Sequence, residues 1–328
     1  MIPYIERDGD PSAPPGYSFP GVMVRSFLLP ADMTALSTLC GKMLNIAPLA
    51  ECGFEFVPLL PFVFVGVLTY PKMLDLDPIF AQRGFTSQHE LFSAFLVVRW
   101  DSLFPGDPLL SQICTFGGCY IFFAYLFVDN PWSMITGREV IGFPKLLARF
   151  NPLPSETSSP TFTVKASTNI LSPFNPMTSL HQREFLTIAS SATTSPGLID
   201  PLPNVVWPWS HFGPGAAAFV PPGLQAVFSD VLSEFPMSTV QLKQFRDISG
   251  DSSACYQAIQ TADFTVANLQ PGALLPQMDI TIPAYDSLKI AATLGIPVSN
   301  TGMVTSINQI QSRIDMTYSN VTNLFVRS

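Results

Sequence analysis

Apolar side chains occur in short runs along this chain, and the spacing within each run indicates which element it forms. Residues 32–46, DMTALSTLCGKMLNI, set apolar positions three and four apart behind an aspartate suited to capping a first turn, which predicts a helix. Runs rich in Phe, Val and Tyr follow at 54–70, 90–100, 110–116 and 119–128, each bounded by Pro, Gly or Asp, and these predict strands. Strand patterning resumes at 161–167, TFTVKAS, and again at 277–283, whereas 222–235 and 239–246 carry helical spacing. Between them lie two polar Pro/Ser loops, 151–160 and 190–204. Residues 1–20 read as an irregular arm rich in Pro, Gly and Asp. With no internal repeat and no long linker, residues 21–328 are expected to form one domain.

One uncharged stretch, residues 108–128, is about as long as a membrane-spanning helix. Gly117 and Gly118 at its centre and the aromatic and β-branched residues after them favour two buried strands joined at the glycines instead. Composition agrees: 47% of residues are apolar and only 12% charged, about half the usual share, with 32 prolines and 27 phenylalanines. Short extended segments around a strongly apolar interior are the expected result. A formal charge of −8 and six scattered lysines argue against a nucleic-acid partner, which requires clustered cations. The charged, proline-rich start lacks the apolar run of a secretory signal, so the cytosol is the expected location. Cysteines 40, 52, 114, 119 and 255 are irregularly spaced, as reduced thiols would be, and Cys114 and Cys119 lack the partners for a zinc site. His181 and His211 read as loop residues. No phosphate loop, dinucleotide fingerprint or serine-nucleophile elbow is present, and no metal or cofactor is expected.

The chemistry concentrates at residues 137–149, GREVIGFPKLLAR. Gly137-Arg138-Glu139, a short apolar spacer and Phe143-Pro144-Lys145 stand in the register found in acetoacetate decarboxylases, and the segment 125–150 resembles the central segment of that superfamily. Weaker likeness at ADMTAL, 31–36, and PGALLPQMD, 271–279, extends the resemblance over nearly the whole chain. The resemblance implies an α+β fold: an antiparallel β-barrel or cone with helices packed outside. It also implies an apolar cavity, a lysine that condenses with a small-molecule carbonyl substrate, and a homo-oligomer. By the same resemblance Glu90 corresponds to an active-site glutamate, and Arg138, Glu139 and Phe143 are candidates for substrate binding.

The lysine chemistry also stands on its own argument. An ammonium cannot attack a carbonyl, and at its ordinary pKa of ~10.4 only about one lysine in two thousand is neutral at pH 7. Apolar burial destabilises the charged form, and Ile141, Phe143, Leu146 and Leu147 are positioned in sequence to provide it. The protonated imine that follows stabilises an enamine, which serves aldol, dehydration, cyclisation and decarboxylation steps alike. Acetoacetate decarboxylase is the established example of a lysine activated in this way.

The chain departs from that family at three places. Leu146 stands where the decarboxylases carry a second lysine, Val22 where they carry a carboxylate-binding arginine, and residues 62–70 contain no second glutamate. Arg25 is near, but an offset of three residues turns it to the opposite face of a strand. The expected function is a cofactor-independent lyase acting on an apolar, polyketide-like carbonyl compound through Lys145. The alternatives are a cyclase that uses the cavity without an imine, and a non-catalytic binder of an apolar small molecule.

Overall fold

A computed structural model of the chain describes residues 5, 12–191, 237–248, 253–273 and 275–327. In chain order the elements are β1 (Tyr17–Pro30), α1 (Met33–Met43), α2 (Leu49–Cys52), β2 (Phe54–Pro58), β3 (Phe62–Asp75), β4 (Phe85–Ser102) and β5 (Cys114–Val128). They continue with α3 (Pro131–Thr136), β6 (Lys145–Leu147), β7 (Arg149–Asn151), β8 (Val164–Ile170), β9 (His181–Ser190), β10 (Met237–Arg246) and β11 (Ala254–Pro271). Last come β12 (Met278–Thr281), α4 (Ile290–Leu294), β13 (Met303–Thr305) and β14 (Asn308–Arg327). A 3₁₀ turn at Phe80–Arg83 precedes β4, and a π-helical turn at Gly137–Ile141 follows α3.

Nine strands pair in the order β2-β4-β3-β1-β14-β11-β10-β5-β6, and β5 pairs with β4 as well, so seven of them run in a closed circuit of pairings. A second sheet has the order β13-β12-β9-β8-β7. The large sheet is mixed, which corrects the expectation of a purely antiparallel one. β10 runs parallel to β5, and so does β6. For β6 the cause is the connection: residues 129–144, with α3 and the π-helical turn, form a crossover that returns the chain in the direction of β5.

Apolar residues on the two faces of the large sheet belong to two separate clusters. On β3, Val63, Val65 and Val67 join one, with Phe27, Leu91, Phe95 and Phe127, while Leu68 and Tyr70 join the other, with Phe19, Val22, Phe123, Leu126 and Phe143. Burial on both faces explains why FVFVGVLTY reads as a continuous apolar run without alternation. Gly66 within it is required by packing, because a Cβ there would lie 2.1 Å from the ring of Phe92.

The helix expected at 32–46 forms as α1, with Asp32 accepting from the Ala35 amide and Leu36 and Cys40 buried. Other expectations about the elements fail. Residues 239–246 form β10, because hairpin pairing with β11 along the strand overrides a local helical spacing. The stretch 108–128 is one strand, β5, preceded by turns. Its first part is exposed, with Leu109 at 87% in the turns and Phe116 at 61% on a stretch of β5 that β4 pairs but β10, which meets β5 only at Tyr120–Phe122, does not; Gly118 there has positive φ. The arm expected at 1–20 ends earlier, since β1 starts at Tyr17. The helix expected at 222–235, His211 and residues 192–204 lie outside the described residues. All five cysteines are free thiols. Among the described residues no helix is long and apolar enough to cross a membrane.

Candidate active site

β6 is short, and its register with β5, Lys145 opposite Leu126, decides which of its side chains turns inward. Lys145 is buried, while Leu146 and Leu147 are 39% and 44% exposed. Lys145 Nζ donates to Ser133 Oγ at 2.8 Å and lies 3.4 Å from Glu90 Oε2. Ser133 comes from α3, whose cap, Asn130, accepts from the amides of Trp132 and Ser133 and donates to Ser87 O on β4. One asparagine thus fastens α3 to the strand that carries Glu90.

Gly137 permits the lysine's position. A Cβ there would stand 2.7 Å from Lys145 Cδ and 2.8 Å from Cε, so the first residue of the GRE triplet leaves the volume that the lysine stem fills. The backbone closes around it: the Phe143 amide donates to Gly137 O, and Arg138 Nη1 donates to Lys145 O at 3.1 Å.

Glu90 projects from β4 on the same face as Gln88, two residues away, and diagonally from Tyr70 on β3. Tyr70 Oη donates to Glu90 Oε1 at 3.1 Å and Gln88 Nε2 donates to Oε2 at 3.1 Å. The carboxylate therefore has three partners, Tyr70, Gln88 and Lys145, and all are buried. Burial pushes the Lys145 pKa below its ordinary value, against the opposing pull of the Glu90 charge. Burial and the same charge hold the Tyr70 and Tyr318 phenols well above theirs, so both stay protonated.

These groups open on a cavity of about 440 Å³. Its wall is rich in aromatic residues, among them Tyr17, Phe19, Phe123, Phe143 and Tyr318, and the exposed Arg83, Phe85 and Trp132 stand at its rim.

The structure thus brings Lys145, Glu90 and Phe143 together at one cavity. Arg138 and Glu139 are exposed and outside its lining, because the π-helical turn that carries them directs Gly137 inward. Of the apolar neighbours expected around the lysine, Ile141 and Phe143 line the cavity and the exposed Leu146 and Leu147 do not. Val22 is fully buried in the cavity-side cluster. Arg25 lies on the other face, where it donates to Gln311 Oε1, Ser155 O and Thr157 O and stacks over Phe162. Sequence reasoning missed Tyr70, Gln88 and Ser133. Gln88 had a usable signal, being two residues from Glu90 on a strand; Ser133 had none, since its approach depends on how α3 folds back.

No protein-family model and no curated protein sequence matches the chain. Among solved structures it is similar to the acetoacetate decarboxylase of Legionella pneumophila, with a TM-score of 0.52 and 14% identity over 95% of this chain and 87% of that one. It is similar also to an acetoacetate decarboxylase-like enzyme from Sphingomonas wittichii RW1, with a TM-score of 0.51 and 12% identity over 98% of each chain. The fold is the acetoacetate decarboxylase-like fold. At such identities this chain is a divergent example of it.

Proposed function

We propose that this protein is a cofactor-independent lyase-type enzyme that binds an apolar carbonyl compound and activates it as an imine of Lys145. The observation that carries the reading is a buried amine, lowered in pKa and held between Ser133 and Glu90, at the wall of an aromatic cavity. In this reading Glu90 takes and returns protons, which its contact with Nζ supports, and Tyr70 holds its other oxygen. Attack of neutral Nζ on the carbonyl gives a carbinolamine. Loss of water leaves an iminium that draws electrons from the adjacent carbon. Likeness of fold supports this general class and leaves the reaction to be argued from the site.

Decarboxylation of a small β-keto acid fits this wall poorly. Among the described residues the cation lining the cavity besides Lys145 is Arg83, at the exposed rim, and the guanidinium on β1, Arg25, is committed to the other face. Aldol cleavage, dehydration or cyclisation of a larger apolar ketone or aldehyde fits better. Borohydride trapping with an arylalkyl ketone tests the reading: mass spectrometry should find a reduced adduct on Lys145, absent in a folded Lys145→Ala variant. Turnover that continues with Lys145 unmodified would exclude the imine and favour a cyclase working by proximity. Binding without turnover or adduct would mark a carrier.

A further inference from the structure

The π-helical turn Gly137–Ile141 leads the chain to Lys145, and a turn of five residues leaves its last carbonyls without partners inside it. Two of these, Val140 O and Ile141 O, lie 3.2 Å and 3.3 Å from one end of the Gln260 side-chain amide on β11. The other end lies 2.7 Å from the side-chain amide of Asn323, which stands opposite Gln260 on β14. A carbonyl oxygen only accepts, so the end of Gln260 that faces the turn is its NH₂. Oε1 then faces Asn323, which offers its own NH₂ in return. Gln260 is 6% exposed and outside the cavity lining. The residue after the turn, Gly142, sits as closely on β10, where a Cβ would stand 2.8 Å from that of Lys243.

We propose that Gln260 is a positioning residue: its NH₂ clamps the turn to β11 and so keeps Lys145 seated between Ser133 and Glu90, while Asn323 sets which way the amide faces. The turn and the lysine move together, because Arg138 donates to Lys145 O and Gly137 lies against the lysine stem. A turn released from β11 therefore carries Nζ away from its partners and toward water. In the seated state burial outweighs the Glu90 charge and holds the amine's pKa below its ordinary value, so release must raise it. The role in turnover rests on the imine reading above, whereas the clamp itself does not.

The test measures how acetylation of Lys145 by acetic anhydride depends on pH, by mass spectrometry, in the wild type, Gln260→Met and Asn323→Asp. The midpoint, taken relative to the high-pH plateau, reports the amine's titration whatever its access to the reagent. Gln260→Met removes the donors at nearly constant volume and should move the midpoint up, toward that of an ordinary lysine. Asn323→Asp should do the same, since a carboxylate only accepts and turns Gln260 Oε1 toward the two carbonyls. Asn323 is exposed, so this variant carries the test if Gln260→Met does not fold. Thr322→Asp adds the same charge one residue away on an exposed position and should leave the midpoint in place. General loss of stability would not move a midpoint measured on folded protein. An unchanged midpoint in either folded variant, or an equal shift in Thr322→Asp, overturns the proposal. If no ketone is trapped on the wild type while the midpoints move as stated, the imine fails and the clamp stands; trapping with unmoved midpoints removes the clamp and leaves the imine.

Discussion

Reactivity at Lys145 is governed by two opposing neighbours, burial and Glu90. Burial lowers the amine's pKa and the carboxylate raises it, so removing the carboxylate's charge must lower it further. Glu90→Gln should therefore shift the pH midpoint of borohydride trapping downward from the wild-type value, which itself lies below that of an ordinary lysine. Turnover should fall in the same variant, because the proposed proton acceptor is gone. A midpoint that moves up would show that Glu90 does not act on the amine. Gly137→Ala makes a complementary test: a methyl 2.7 Å from Lys145 Cδ displaces the stem, so trapping at neutral pH should drop at least tenfold while circular dichroism stays native. Lys145 and Glu90 were legible in the sequence because motif and strand pattern mark them. Tyr70 and Ser133 were not, because their places depend on strand register and on a helix folding back.

At the scale of elements, the spacer between Gly137 and Lys145 acts through its length. The π-helical turn and the Gly142 turn, at φ 80°, feed β6 so that Lys145 faces the cavity and Leu146 faces out. Strand alternation means that a one-residue change in the spacer exchanges them. Deleting Val140 should abolish trapping even in molecules that fold. The same dependence on connections explains the misread elements. β10 looked helical in isolation and became a strand through its hairpin, and β5 looked like two strands because its glycines bend one. On the opposite face, Arg25 joins β1 to the loop at 155–157. Arg25→Met removes three hydrogen bonds made by a buried guanidinium and should cost about 2–4 kcal/mol in urea unfolding, with trapping at Lys145 retained.

For the molecule as a whole, the closed circuit of strand pairings makes β14 essential, since it pairs with both β1 and β11. A chain cut before Asn308 should give neither a native circular dichroism spectrum nor a compact peak on size exclusion, because β1 and β11 both lose a neighbour. Apolar runs located β3, β4, β5, β8 and β12, whereas β1, β9, β11 and β14 were not predicted. The pairing order was not legible either, since contacts between residues 17 and 318 leave no local trace. The two apolar clusters have a further consequence. A single layer of backbone separates them, with cavity-facing Tyr70, Phe123 and Leu126 on one side and Val65, Val67 and Phe127 on the other. The residues that line the cavity are therefore largely distinct from those on the far side that hold the sheet together. Such a scaffold can be relined for a new substrate in small steps while its folding instructions stay in place.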